Sequence, residues 1–427
     1  MGGGPVEVFE NPDPSERREE MNDTVKYLKV IVCISLLLVL ILPCVGYPQS
    51  KDKIRIGNAI ALSGPYVAGA VMTQANPYDM WIKEVNAKGG IFVKEYNKKL
   101  PIELIRYDDK SDVGTAVKLV EKLILDDKVD LLLPPWSTGM NFAIAPIVTK
   151  YEYPVLGVTV DSMKIKEIAP TIPYFFVHLN QPPVKAEAII PLCKELGVKT
   201  AVVIHHADLH GIEFAGYVAP QLSVNGIDVI MYKTYPMGAK DLSPLLKKIK
   251  AAKPDAFFAF SYPDETFLLA GQSKAIGFNP KLFYTSIGTA FAAYRDAFGA
   301  KMVEGVMGTG AWNPKVPYPG AKEFWDRMVQ FAGPGKVDWY GNAFVYSSMQ
   351  VLEQAIERAG TLDRKKIREV IATGTFPTVI GPVRYENQIN VQSPGEVGQW
   401  QNGSFEIVAA KEKRTAKPIY PKPPWPK

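Results

Sequence analysis

The stretch "LLLPPWSTGMNFAIAPIVTKYEYPVLGVTV", residues 131–160, decides how the chain is read. Three leucines close a short apolar run, Trp136, Ser137, Thr138 and Gly139 follow, and a helical pattern then leads into a second apolar run that ends beside Asp161 and Ser162. Strand, turn, helix, strand is the grammar of a parallel sheet covered by helices. Ser137 or Thr138 falls where the N-cap of a helix over residues 139–151 belongs. A helix N-terminus presents unpaired N–H groups and the positive end of its dipole, so a carboxylate could dock there. Ser137 could equally do no more than cap its helix.

The same grammar extends in both directions. Upstream, "IRIGNAIAL" (54–62) reads as a strand, then a helix opening with Asn76 as cap and Pro77 at its first position, with Tyr78, Trp81, Ile82 and Val85 on one face. "LPIELIRYDD" (100–109) alternates as a strand, Ala116, Leu119, Val120, Leu123 and Ile124 line the next helix, and "VDLLLPP" (129–135) is again a strand. Downstream, after "APTIPYFFVHLNQPP" (169–183), the pattern restarts. Helix 184–196, strand "TAVVIHH", helix 213–223, strand "IDVIMYKTYP", helix 243–252 capped by Ser243, strand "DAFFAFSYP", helix 265–276 and strand "KLFYTSI" follow one another. Two α/β sheets of similar size are implied, without a Gly/Ser linker between them. Ligands of open parallel sheets bind at the carboxyl ends of the strands, so two facing sheets create a cleft that a hinge can close. The later helices and short strands are too few for a third core and should pack back on the two lobes.

The 427 residues, 47% apolar and 22% charged, suit two globular domains. Residues 1–46 read as an N-terminal extension and secretory signal: Lys26 and Lys29 precede an apolar run over 30–42, with small residues at Cys44 and Gly46 before cleavage, and Met21 as a candidate start. The apolar run is shorter than the about 20 residues of a membrane span, and an uncleaved anchor is the alternative. Without these residues, which hold four Lys/Arg and seven Asp/Glu, the net charge is about +8 and the lysines are scattered. No basic patch interleaved with aromatics supports a nucleic-acid partner. Of three cysteines only Cys193 remains, which excludes an internal disulfide and reads as a buried thiol. The tail "KPIYPKPPWPK" (417–427) should be extended or disordered.

Catalytic and metal chemistry find no pattern. G-x-S-x-G and the P-loop lysine motif are absent, and "GTGAWNP" lacks the context of a dinucleotide fingerprint. His205 and His206 are adjacent on a strand and point apart, and no acid or thiol completes a metal site with His210. Neither a cofactor nor a metal is expected. Trp136 and Tyr66 could wall an apolar side chain.

The order of "IALSGPYVAGA", "VNAKGGI", "IRYDDKSDVGTAVKLVEKLILDDKVDLLL", "STGMNFAIAPIVTKYEYPVLGV", "DAFFAFSYPDE" and "TVIGPVRYE" resembles the periplasmic binding proteins of branched-chain amino acid ABC transporters, the Leu/Ile/Val-binding type, over residues 53–410. The resemblance implies two Rossmann-like lobes joined by a multi-crossing hinge, with lobe 1 from 53–173 plus 303–378, lobe 2 from 174–302 plus 379–412, and a Pro-rich tail over 413–427. It also implies a small-molecule ligand, a membrane permease as partner and a place outside the cytoplasmic membrane. The family's carboxylate-binding serine falls on Ser137 or Thr138, its next contacts near Val160 and Ser162, and its second-lobe tyrosine on Tyr262. Tyr340 would reach the cleft from the first lobe. His210 stands where the family has an aromatic, and Ser286 or Ile287 where amino-acid binders carry the acid that pairs with the ligand's ammonium. A buried ammonium without a carboxylate is costly, so the ligand is expected to be amino-acid-like or an apolar or aromatic carboxylate, the lost acid favouring the latter. A sensory or scaffold protein of the same fold is the alternative to transport.

Overall fold

In the computed structural model the described residues are 1–5, 18, 21, 25–29, 51–392 and 396–427. The chain divides into two units, residues 1–50 and 51–427. In the first unit residues 25–29 are helical, and the apolar run of the expected signal lies outside the described residues. No helix among the described residues is long and apolar enough to cross a membrane.

The second unit realises the alternation. β1 (Ile54–Ile60), α1 (Asn76–Ala87), β2 (Ile102–Asp108), α2 (Val113–Leu125), β3 (Leu131–Leu133), α3 (Thr138–Lys150), β4 (Val155–Gly157) and β5 (Phe175–Val177) build the first lobe. Strands β2-β1-β3 pair in parallel, as do β4 and β5. Asp112 caps α2 by accepting from the Thr115 N–H. Then α4 (Pro182–Glu195), β6 (Thr200–His206), α5 (Leu209–Val224), β7 (Asp228–Tyr235), α6 (Ser243–Ala252), β8 (Ala256–Phe260), α7 (Pro263–Ala275), β9 (Leu282–Thr285) and β10 (Met307–Thr309) form the second. Helices α8 (Ala321–Ala332), α9 (Gly341–Ala359) and α10 (Arg364–Thr373) precede strands β11 (Thr375–Thr378), β12 (Gly381–Glu386), β13 (Ile389–Asn390), β14 (Val397–Gln401) and β15 (Ser404–Ala409).

The strand order shows where the chain crosses between sheets. The second sheet runs β15-β14-β10-β9-β8-β6-β7, and the other runs β11-β12-β13-β5-β4. Met307–Thr309 therefore belongs with the second lobe, and Gly381–Asn390 with the first, which differs from divisions at 303 and 379. Strands of two to six residues carry no pattern that assigns them to a sheet; long-range pairing does.

Three local expectations also change. Asn76 does not cap α1, because a helical turn (Val67–Ala70) and a π turn (Val71–Ala75) run straight into it. Pro77 has no N–H for the ordinary ladder, and the wider turn accommodates its ring. Ser243 is the first helical residue of α6 rather than a bonded cap. The tail is docked: the Lys422 N–H donates to the Lys281 carbonyl (2.7 Å), Trp425 Nε1 donates to the Phe278 carbonyl (2.6 Å), and the Lys422 ammonium sits 3.4 Å from the Trp425 ring centre. Cys193 is buried in α4, and burial pushes its thiol up to about 12, so it is no nucleophile at neutral pH.

Candidate functional site

The carboxyl ends of β3 and β4 face those of β8 and β9 across a cleft lined from both lobes. The first lobe contributes the turn before α3. Ser137 Oγ accepts from the Met140 N–H (3.3 Å), so Ser137 caps α3. Its φ of 94° and ψ of 153° are a conformation that residues other than glycine rarely adopt. The turn is held by neighbours: the Ser137 N–H donates to Thr159 Oγ1 (3.2 Å) and Asn141 Nδ2 to the Ser137 carbonyl (2.8 Å). Strain at such a site is sustained only when surrounding bonds over-determine it.

Aromatic rings form the wall beside this turn. Trp136 Nε1 donates to Thr73 Oγ1 (2.9 Å), and its ring lies 5.6 Å from Tyr66 and 4.9 Å from Tyr262, centre to centre. Tyr262 comes from the second lobe, at the start of α7, so the ring cluster bridges the lobes. Asp208, the N-cap of α5, accepts from the Tyr262 hydroxyl (2.8 Å) and the Tyr66 hydroxyl (3.3 Å) and ties both rings to one carboxylate. Gly69 is required here, since a Cβ on it would lie 2.2 Å from the Trp136 ring.

A polar chain crosses the cleft floor. Asp161, 2% exposed, receives the Lys185 ammonium on Oδ2 at 2.6 Å and lies 3.1 Å from His210 Nδ1. His210 Nε2 is 2.8 Å from Ser286 Oγ, which accepts from Thr309 Oγ1 (3.2 Å), itself 2.8 Å from the Tyr284 hydroxyl. Burial opposes the charge of Asp161, but Lys185 and His210 hold its carboxyl below the usual range. His210 Nδ1 donates to that carboxylate while Nε2 meets Ser286 Oγ, so the ring joins the first-lobe acid to the second-lobe hydroxyls. Burial likewise depresses His206, whose ring packs edge-on against Tyr262 at 4.3 Å.

Seven of the ten residues expected at the site line the cleft: Trp136, Ser137, Thr138, His210, Tyr262, Ser286 and Tyr340. Tyr340 donates from its hydroxyl to Asn180 Oδ1 (2.7 Å), and Asp338 behind it is pushed up to about 7 by burial. Three residues stand outside the lining. Tyr66 supports the ring cluster. Val160 and Ser162 are engaged by Gln181, which takes the Ser162 N–H (3.1 Å) and donates to the Val160 carbonyl (2.9 Å). Their neighbour Asp161 lines the cleft instead. Asp161 and Thr309 line the cleft without being among the expected contacts, and Lys185, behind Asp161, is not among them either, although Asp161 is expected beside the crevice. The signal for Asp161 was its place after β4, in the same turn as Val160 and Ser162; Lys185, within an apolar helix pattern, gave none. His205, His206 and His210 do not converge on a metal, and no cluster of three or more His, Cys, Asp or Glu with metal-binding geometry exists among the described residues.

A family model described as "Periplasmic binding protein" matches residues 53–404. Similar curated proteins include the leucine-, isoleucine-, valine-, threonine- and alanine-binding protein of Pseudomonas aeruginosa, 24% identical over 80% of this chain and 88% of its own. A Leu/Ile/Val-binding protein of Rhizobium johnstonii is 24% identical over 84% of this chain and 92% of its own. Among solved structures, a leucine-binding protein from Thermotoga maritima superposes with a TM-score of 0.71, at 22% identity over 83% of this chain and 98% of that one. A branched-chain amino acid transporter substrate-binding protein from Streptococcus pneumoniae, in complex with isoleucine, gives 0.72 at 19% identity over 84% and 99%. These likenesses share the two-lobed α/β architecture built here from strand pairing, and the family match spans most of the chain. The chain belongs to the periplasmic binding protein family.

Proposed function

We propose that the protein captures a small organic ligand between its two lobes, outside the cytoplasmic membrane, and delivers it to the permease of an ABC transporter. The single observation that carries this reading is a cleft whose wall is shared: Trp136, Ser137 and Thr138 from one lobe meet His210, Tyr262 and Ser286 from the other. A ligand touching both sets gains contacts only when the lobes close, so it shifts the population toward the closed form that a permease can read. Capture rather than catalysis fits the site, because the hydroxyls of Ser286 and Thr309 are engaged in the chain that ends on Asp161. Residues 1–46 would serve as the export signal. The relatives named for leucine, isoleucine and valine support an amino-acid-like ligand.

The test is a thermal-stability screen of the purified protein against amino acids, amides and aliphatic and aromatic carboxylates. A ligand at about 100 times its Kd adds roughly 2.7 kcal/mol to stability. A hit whose shift is abolished in Tyr262→Ala supports capture in this cleft. Absence of any stabilising compound, or a hit indifferent to Tyr262, refutes it.

A further inference from the structure

Asp161 accepts two donors on one carboxylate oxygen and none on the other. Oδ2 takes Lys185 at 2.6 Å and His210 Nδ1 at 3.1 Å, whereas Oδ1 is buried with no hydrogen-bond partner. The residue lines the cleft. An ionised carboxylate offers about four acceptor positions, and a buried acceptor left unmade is unfavourable. The unfilled oxygen belongs to a residue whose backbone N–H donates to Thr138 Oγ1 (3.1 Å) at the N-terminus of α3. A negative acceptor and a positive helix end thus lie side by side on the first lobe.

That neighbourhood matches a ligand head in which an amino group and a carboxylate are joined through one carbon. Resting on the capture reading above, we propose that Asp161 Oδ1 is the specificity-determining acceptor for the ligand's amino group, with the carboxylate directed to the N-terminus of α3. The acid that Ser286 fails to supply from the second lobe is thereby supplied from the first. Ser286 instead orients His210, which together with Lys185 occupies Oδ2 and leaves Oδ1 for the ligand. The charges balance, because Lys185 neutralises Asp161 and a zwitterionic head adds no net charge. A bare carboxylate leaves Oδ1 without a donor, so desamino acids are discriminated against.

The experiment uses matched probes on the purified protein: leucine, 2-hydroxy-4-methylpentanoate and 4-methylpentanoate, with phenylalanine, 3-phenyllactate and 3-phenylpropanoate as the aromatic set. Thermal shift and titration calorimetry read each. The expected result is that the amino member of a set binds at least tenfold tighter than its desamino partner, and that Asp161→Asn, measured against its own baseline, removes this preference. Where Asp161→Asn does not fold, Asp161→Asn combined with Lys185→Met removes both charges together and serves in its place. Equal or tighter binding of a desamino acid overturns the inference, as does an amino preference that survives loss of the carboxylate. Binding only by compounds without an amino group overturns it while leaving cleft capture intact. Failure of every compound in the broader screen overturns the capture reading, and this inference with it.

Discussion

Replacing Lys185 by methionine isolates the energetics of the cleft floor. The Lys185 and Asp161 side chains are 1% and 2% exposed and meet at 2.6 Å. At an effective dielectric of about 20 their attraction is on the order of 6 kcal/mol, largely offset by several kcal/mol of desolvation for each ion. The intact pair therefore adds little net stability, but removing one partner strands the other. Methionine preserves most of the volume, so the loss reports the stranded Asp161 carboxylate: about 3–5 kcal/mol by urea denaturation at pH 7.5. Adding Asp161→Asn should restore much of that loss, giving a coupling energy of about 2 kcal/mol or more in a double-mutant cycle. The sign with pH is also fixed. Without Lys185 only His210 opposes burial at Asp161, so its folded-state pKa rises relative to wild type and the Lys185→Met deficit shrinks as pH falls toward 4. A Lys185→Met loss under about 1 kcal/mol with no coupling would refute a closed-off ion pair here.

Four further outcomes follow from the same geometry. Burial pushes Glu396 up to about 7 against the opposing pull of Lys413; its stabilising contribution is full below pH 4 and lost as pH rises through 7, so Glu396→Gln should gain on the wild type by about 3 kcal/mol between pH 5 and 8 in parallel denaturation curves. Ser137→Gly should be more stable than Ser137→Ala by about 1–2 kcal/mol, because both lose the cap but only glycine relieves the backbone at φ 94°; the reverse order would contradict strain at that turn. Gly69→Ala should displace Trp136, costing about 1–3 kcal/mol and weakening any cleft ligand, checked by denaturation and calorimetry. Trp425→Ala should destabilise the second lobe by about 2–4 kcal/mol through loss of ring burial against Phe283 and the bond to Phe278; amide exchange in β9 reads it.

Periodicity made the lobes legible. The runs that became β1–β4 and β6–β9, with the helices between them, carry apolar spacing that local chemistry enforces, and Ser137 is the cap its position implied, whereas β5 lies in a segment read only as a connection. What was not legible depends on contacts remote in sequence. Met307–Thr309 and Gly381–Asn390 change sheets because pairing with β9 and β5, not composition, holds them. The tail looked like free polyproline, yet Trp425 and Lys422 find partners near residues 278–281. In the site, the aromatic wall was readable as residue types, whereas the floor was not. Asp161 and Lys185 are 24 residues apart and meet only through the pairing of a first-lobe turn with the first second-lobe helix. Ser286 looked like a missing acid; its hydrogen bond to His210 gives it a different part to play.

In the proposed function one ligand is held by both lobes at once. Calorimetric titration of the strongest hit from the stability screen into wild type, Thr138→Ala and Tyr262→Ala tests it most directly, since Thr138 and Tyr262 line the same cleft from opposite lobes. Each substitution should raise Kd at least tenfold. Weakening by one substitution with wild-type affinity in the other would contradict capture between the lobes.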